Sequence, residues 1–219
     1  MMYKSIHTIV IVTLLCLAGI EQLSAQYQNI RVDNPSTTNA NEVSIAVNPR
    51  QPNQLAAGAN INYFFRSTNG GASWTQSTMS STLGVWGDPC LMYDGSNNLY
   101  FAHLSNPVSG YWIDRIVVQK STDNGTTWSD GVGIGLQYPK KQDKEWLGVD
   151  LGNTPYKNTL YCTWTEFDKY GSSSPQDSSR ILFSKSTDFG ATWSAPLRIN
   201  EKGGDAVDED LTTEGAIPA

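Results

Sequence analysis

The sequence predicts an all-β fold made of repeated four-stranded antiparallel sheets, and three observations predict it. An eight-residue pattern is written three times, as Ser67-Thr68-Asn69-Gly70-Gly71-Ala72-Ser73-Trp74, Ser121-Thr122-Asp123-Asn124-Gly125-Thr126-Thr127-Trp128 and Ser186-Thr187-Asp188-Phe189-Gly190-Ala191-Thr192-Trp193. A strand-like segment precedes each copy, at 61–66, 115–120 and 180–185, and no stretch carries a convincing helical period. The order strand, turn, strand, loop, strand, octapeptide, strand recurs around each copy. The repeat is therefore a whole supersecondary unit.

Within each octapeptide the residue types specify a turn. Asn69, Asp123 and Asp188 accept backbone N–H bonds and close an Asx-type turn, while Gly71, Gly125 and Gly190 supply a left-handed backbone position without a Cβ clash. Trp74, Trp128 and Trp193 carry large rings that need a core. A strand, a fixed turn and an anchored second strand make a hairpin.

Taken in order, residues 1–25 read as a signal peptide: Lys4, an apolar run over 9–20, then Leu23-Ser24-Ala25 ahead of Gln26. The run is short for a bilayer, so no membrane span is expected after cleavage. A polar lead-in follows at 26–40. The first unit covers about 41–82, with clean alternation at Val43, Ile45 and Val47; the second covers 86–136, and the third 143–200 with its first strand at 146–150. Residues 205–219 read as the start of a further unit. Radial repetition of such sheets is the β-propeller plan. Three units and a fragment do not close a ring, so a partial propeller with an exposed sheet face at each end is expected.

Composition narrows the function. The chain holds 15 Lys and Arg against 21 Asp and Glu, a net charge of −6, and no basic run longer than Lys140-Lys141, which argues against a nucleic-acid surface. Beyond the leader only Cys90 and Cys162 remain, a pair that permits one disulfide; two free, buried thiols are expected. His103 stands alone in a strand, so neither a histidine zinc site nor a Ser-His-Asp triad has support. Gly131-Val132-Gly133-Ile134-Gly135 precedes no helix and is no phosphate loop. The acids Asp205, Asp208, Glu209 and Asp210 offer oxygen ligands for calcium, without the spacing of a calcium loop. No other metal or cofactor is expected.

The octapeptides resemble the Asp box, also called the bacterial neuraminidase repeat, with consensus Ser-x-Asp-x-Gly-x-Thr-Trp. The second and third copies match at every defined position, and the first departs by Asn69 and Ser73. Over roughly 42–200 the chain is similar to secreted bacterial sialidase-like propellers, including segments such as Trp86-Gly87-Asp88-Pro89 and Lys144-Glu145-Trp146-Leu147. The resemblance implies a secreted or periplasmic glycoside hydrolase acting on glycans or glycoconjugates, with exo-sialidase activity on terminal sugars as its specific form. Non-enzymatic propellers carry the same box, so a carbohydrate-binding or surface-interaction propeller is the alternative. The Phe/Tyr-Arg-Ile-Pro segment of sialidases has no counterpart; Asn29-Ile30-Arg31-Val32 departs from it.

The resemblance also puts the boxes on the face away from the active site. The opposite face is built by the loops before each first strand and those joining second to third strands. Asp88, then Asp143 and Glu145, then Glu209, Asp210 and Glu214 come just before successive first strands. Glycoside cleavage needs one carboxylic acid to protonate the leaving oxygen and a second group to attack or activate water. Asp88 with Glu145 or Glu166 is the candidate pair. Arg115 and Arg180, with Tyr111 and Trp112, are candidate substrate contacts; Trp86, Trp146 and Tyr170 are further candidate stacking surfaces, with blade core or loop anchor as the other reading of these rings, above all of Trp146.

Overall fold

The computed structural model describes residues 29–34, 36, 39–207 and 211–218. The expected leader and the acids Asp208, Glu209 and Asp210 lie outside the described residues. Those residues form three four-stranded antiparallel meanders and no helix. The first holds β1 (Ser44–Val47), β2 (Leu55–Ala59), β3 (Tyr63–Ser67) and β4 (Thr75–Thr78); the second holds β5 (Cys90–Tyr93), β6 (Leu99–Leu104), β7 (Ile116–Ser121) and β8 (Val132–Ile134). The third holds β9 (Lys141–Val149), β10 (Leu160–Phe167), β11 (Ser179–Ser186) and β12 (Leu197–Arg198). β1 packs beside β5, and β5 beside β9. Sheets that meet through their first strands are successive blades, so the molecule is a partial β-propeller.

Strand β6 shows why this sequence stacks its sheets. Leu99-Tyr100-Phe101-Ala102-His103-Leu104 is buried at every position, because side chains alternate between two neighbouring blades. Leu99 and Phe101 join Ala56, Phe64 and Met79 of the first blade, whereas Tyr100, Ala102 and Leu104 join Leu147, Leu160, Cys162 and Trp164 of the third. A continuous apolar run is what burial on both faces requires. Cys90 and Cys162 are free and buried, as the sequence predicts. On the outer side of the first blade, Val32 of the lead-in packs over Ala57, Ala59 and Phe65.

The three octapeptides fold alike. Ser67, Ser121 and Ser186 each accept the N–H of the box glycine (2.9, 2.8 and 2.9 Å) and donate to the Asx oxygen (2.9, 2.8 and 2.8 Å). Asn69, Asp123 and Asp188 accept the N–H of the seventh residue at 3.0, 2.8 and 2.9 Å. Thr127 and Thr192 donate their hydroxyls to the Asp partners, whereas in the first copy the Asn69 amide donates to Ser73. The box glycines lie at φ of 88°, 75° and 82°. The structural role assigned to Gly71, Gly125, Gly190 and their Asx partners thus has a full hydrogen-bond basis, with the leading serine as an added member.

Two expectations differ in detail. Trp74, Trp128 and Trp193 are half-buried rather than enclosed, each flanking one of the three core clusters. In the second and third blades the fourth strand is late and short. After Trp128 and Trp193 the chain pairs once, through Ser129 and Ser194 N–H to Lys120 and Lys185 (2.9 Å each). It then leaves the ladder at Gly131 (φ 97°) and at Pro196, which has no N–H to give. Strand β9 begins at Lys141, five residues before the expected start, with a bulge opposite Thr163 and Thr165.

The turn carboxylates make folding acid-sensitive. Asp123 is pulled down to about 2, first by the Thr127 backbone and side chain, and Asp188 to about 2, first by the Thr192 hydroxyl and then its N–H. Their folded values lie below the ordinary carboxylate value near about 3.9. This stabilisation is therefore present above about pH 4 and lost as pH falls through about 2. Replacing both by Asn is expected to reduce the loss of stability in urea unfolding between pH 4 and 2; an unchanged slope contradicts the assignment.

Candidate functional site

The two edges of the blades carry different chemistry. The octapeptides share an edge with the β1–β2 type of turn, as Gly70 N–H bonding to the Asn53 carbonyl (2.9 Å) shows. At the other edge Asn60, between β2 and β3, accepts the Asp88 N–H at 2.7 Å and bonds Glu42 through its amide. That edge contains the approach to every first strand.

At this edge the backbone repeats a strained position. Glu42 (φ 47°), Asp88 (φ 52°) and Lys144 (φ 49°) are left-handed, each two residues before Ser44, Cys90 and Trp146, which pair with Gly58, Ala102 and Thr163 on the second strands. Gly215 (φ 73°) lies at the same edge, and its neighbour Ala216 accepts a 2.6 Å bond from Thr163. A non-glycine residue held left-handed costs about 1–2 kcal/mol. Such positions cluster where a site fixes its geometry.

These residues surround a cavity of about 240 Å³ lined by Glu42, Asp88, Pro89, Lys144, Glu145 and Trp146, among others. Lys144 Nζ lies 3.3 Å from Asp88 Oδ2 and 3.7 Å from Glu42 Oε1. Asp88 and Glu42 shift each other's protonation in opposite directions, Asp88 upward and Glu42 downward. Burial, the bond to Glu42 and the charge of Asp143 push Asp88 up to about 8, against the opposing pull of Lys144. Glu42 is lowered by the bond from Asp88, by the Asn60 amide and by Lys144, against its partial burial. Burial works against the Lys144 charge, yet Asp88, Asp143 and Glu42 hold it firmly cationic. These directions favour a protonated Asp88 next to an ionised Glu42 and the Lys144 ammonium at neutral pH.

Glu145 lies beneath this pair. Its residue is 2% exposed, and neither carboxyl oxygen has a hydrogen-bond partner beyond its own backbone. Burial first, then the charges of Asp88 and Asp143, raise it well above the carboxylate range. A carboxyl raised in the fold contributes most at low pH and loses stability as pH rises. Glu145→Met is therefore expected to stabilise the protein by about 1–3 kcal/mol at pH 7, since an unpartnered buried acid costs that much. The advantage should grow from pH 5 to 9 in thermal unfolding; a destabilised variant contradicts it.

The other sequence candidates are placed elsewhere. Glu166, 2% exposed, receives Lys140 Nζ at 2.8 Å and Arg180 at 2.7 Å, and Arg180 also holds Asp168. It belongs to an ion-pair cluster instead of pairing with Asp88. Arg115 is spent in a two-pronged bond to Asp114 at 2.8 and 2.9 Å. Tyr111 and Trp112 are exposed on this edge, and Trp86 meets Trp112 edge-on at 6.5 Å between centroids. Trp112 in turn meets Tyr170 at 5.7 Å. His103 is buried, pushed down to about 4 by burial, and so neutral. Among the described residues no group of three or more His, Cys, Asp or Glu is arranged to hold a metal ion. A larger concavity of about 980 Å³ lies along the first strands, but its lining is mainly apolar and its one carboxylate, Asp150, is tied to Gly152 N–H and the Thr154 hydroxyl.

Sequence reasoning named Asp88 and not Glu42, which the structure places beside it from the neighbouring blade. Aligning the blades on their first strands puts 42, 88 and 144 in register, a signal that alignment on the octapeptides hides.

No helix among the described residues is long and apolar enough to cross a membrane. No family model and no curated protein matches the sequence. Among solved structures, a protein of unknown function from Dyadobacter fermentans aligns over 74% of this chain and 56% of its own, at 15% identity and a TM-score of 0.50. An α-L-arabinanase from Penicillium chrysogenum, complexed with arabinobiose, aligns over 71% and 48%, at 18% identity and a TM-score of 0.49. A Hadza microbial sialidase aligns over 67% and 33%, at 18% identity and a TM-score of 0.40. The chain thus spans about half the length of the first two, and at 15% identity the likeness to the Dyadobacter protein is one of fold alone.

Proposed function

We propose that the chain is a glycan-cleaving propeller whose proton donor is Asp88. What supports this is the geometry of Asp88 and Glu42 on the wall of one open cavity, both within reach of the Lys144 ammonium, together with the burial that pushes Asp88 up to about 8. Glycosidic cleavage consumes one proton at the leaving oxygen, and a donor with a pKa near the working pH transfers it best. Water supplies the oxygen that bonds the anomeric carbon; Glu42, kept ionised by Lys144, takes up a proton from that water and returns it to Asp88, replacing the one given to the leaving oxygen. Export directed by residues 1–25 would put this site against extracellular glycans.

The exo-sialidase form finds no support in the described residues. Gripping a sialic acid carboxylate calls for free guanidinium groups, and all six arginines are engaged: Arg31 by Asp33, Arg50 by the Gly95 carbonyl, Arg66 by Thr126, Arg115 by Asp114, Arg180 by Glu166 and Asp168, and Arg198 by backbone carbonyls. A non-catalytic binding propeller is favoured by the exposed rings near Lys141, although rings of that kind serve a cleaving enzyme equally well. The direct test is release of reducing ends from a panel of neutral and acidic polysaccharides by the full chain. Release from one class supports cleavage; release from none overturns it and leaves binding as the function.

A further inference from the structure

A second feature of the same edge is a lysine framed by exposed rings. Lys141 Nζ sits 5.9 Å from the centroid of Tyr111 and 5.6 Å from that of Trp112, and it donates to the Trp112 carbonyl. Tyr111 stacks against Tyr138 at 4.2 Å and 31°, and Trp86 stands against Trp112. All four rings are exposed, between 39% and 62%. The adjacent Lys140 is neutralised by Glu166 and Asp168, whereas Lys141 makes no ion pair among the described residues and feels Asp114 as a more distant charge. An ammonium has three donors, and one is used on Trp112.

We propose that Lys141, with Tyr111, Trp112, Tyr138 and Trp86, binds a sugar residue carrying an anionic group, a uronate or a sulfate, within a polysaccharide. The flat apolar face of a pyranose covers an aromatic ring, and the tyrosine hydroxyls and indole N–H meet its hydroxyls. The anionic substituent takes the remaining donors of Lys141. Because the chain carries a net charge of −6, its long-range field repels such a ligand. Recognition therefore has to come from this local cation and its rings. Trp86 lies two residues before Asp88, so the surface continues towards the cavity. The inference rests on glycans approaching this edge, and it names their class.

The test is binding, so that it stands apart from turnover. Calorimetry on the full chain carrying Asp88→Asn would use oligogalacturonate, its carboxyl-reduced neutral counterpart and chondroitin sulfate oligosaccharides. Binding of at least one acidic probe is expected, with affinity about tenfold weaker for Lys141→Met, and about tenfold weaker for the carboxyl-reduced chain where oligogalacturonate is the probe bound. Tyr111→Ala, which leaves the ammonium in place, should also weaken binding. Failure of both acidic probes to bind, equal affinity for the reduced chain and oligogalacturonate, or full affinity in Lys141→Met overturns the proposal. Absence of polysaccharide cleavage by the unsubstituted chain, with binding intact, would instead count against the role of Asp88 alone.

Discussion

Gly125→Ala is expected to destabilise the protein by about 2–5 kcal/mol, with Gly71→Ala costing only about 1–2 kcal/mol. Both glycines hold the fifth place of the octapeptide in a left-handed conformation, at φ 75° and 88°. Their surroundings differ. A Cβ on Gly125 would stand 2.3 Å from Phe64 Cζ, in the core between the first and second blades, whereas one on Gly71 meets nothing nearer than 3.8 Å. Phe64 cannot retreat freely, because its ring packs edge-on against Trp128 at 5.1 Å and Phe101 at 6.3 Å. Gly190, with Tyr100 at 3.4 Å, should fall between the two. Urea unfolding of the three variants under one set of conditions gives the order. Equal losses at all three positions would show that the turns do not pin blade to blade.

Asp88→Asn is expected to lower polysaccharide cleavage at least about 100-fold, the scale of losing a positioned proton donor. The amide keeps the shape of the carboxyl and removes the transferable proton. The pH dependence gives a finer signature. An acid catalyst works while protonated, so activity holds below the Asp88 pKa and falls as pH rises through about 8. Lys144 favours the ionised form of Asp88. Lys144→Met therefore raises that pKa and moves the alkaline limb to higher pH. A limb that stays in place in the variant, or Asp88→Asn retaining activity, removes Asp88 from the chemistry.

The fold was readable because its determinants are local. Ser, Asx and Gly close each octapeptide within five residues, and the continuous apolar run of β6 announces burial on both faces. The start of β9 was hidden because Lys141-Gln142-Asp143-Lys144-Glu145 has the composition of a loop. Only the propeller geometry buries Gln142, Asp143 and Glu145 against neighbouring blades. Asp88 was legible as an acid ahead of a first strand. Glu42 was not, since its meeting with Asp88 depends on β1 packing beside β5. The pairing of the arginines was hidden for a related reason: Asp114, beside Arg115 in the loop before β7, and Glu166, on the strand adjoining that of Arg180, already hold them.

The central claim is that Asp88 holds its proton near neutral pH beside Glu42 and Lys144. Carbon-13 NMR titration of the side-chain carboxyls, with Asp88 assigned by its absence in Asp88→Asn, measures this without any substrate. A midpoint near 8 for Asp88, with Glu42 titrating below the ordinary glutamate value, is the predicted result. An Asp88 midpoint near about 4, the value of an unperturbed aspartate, would contradict the account.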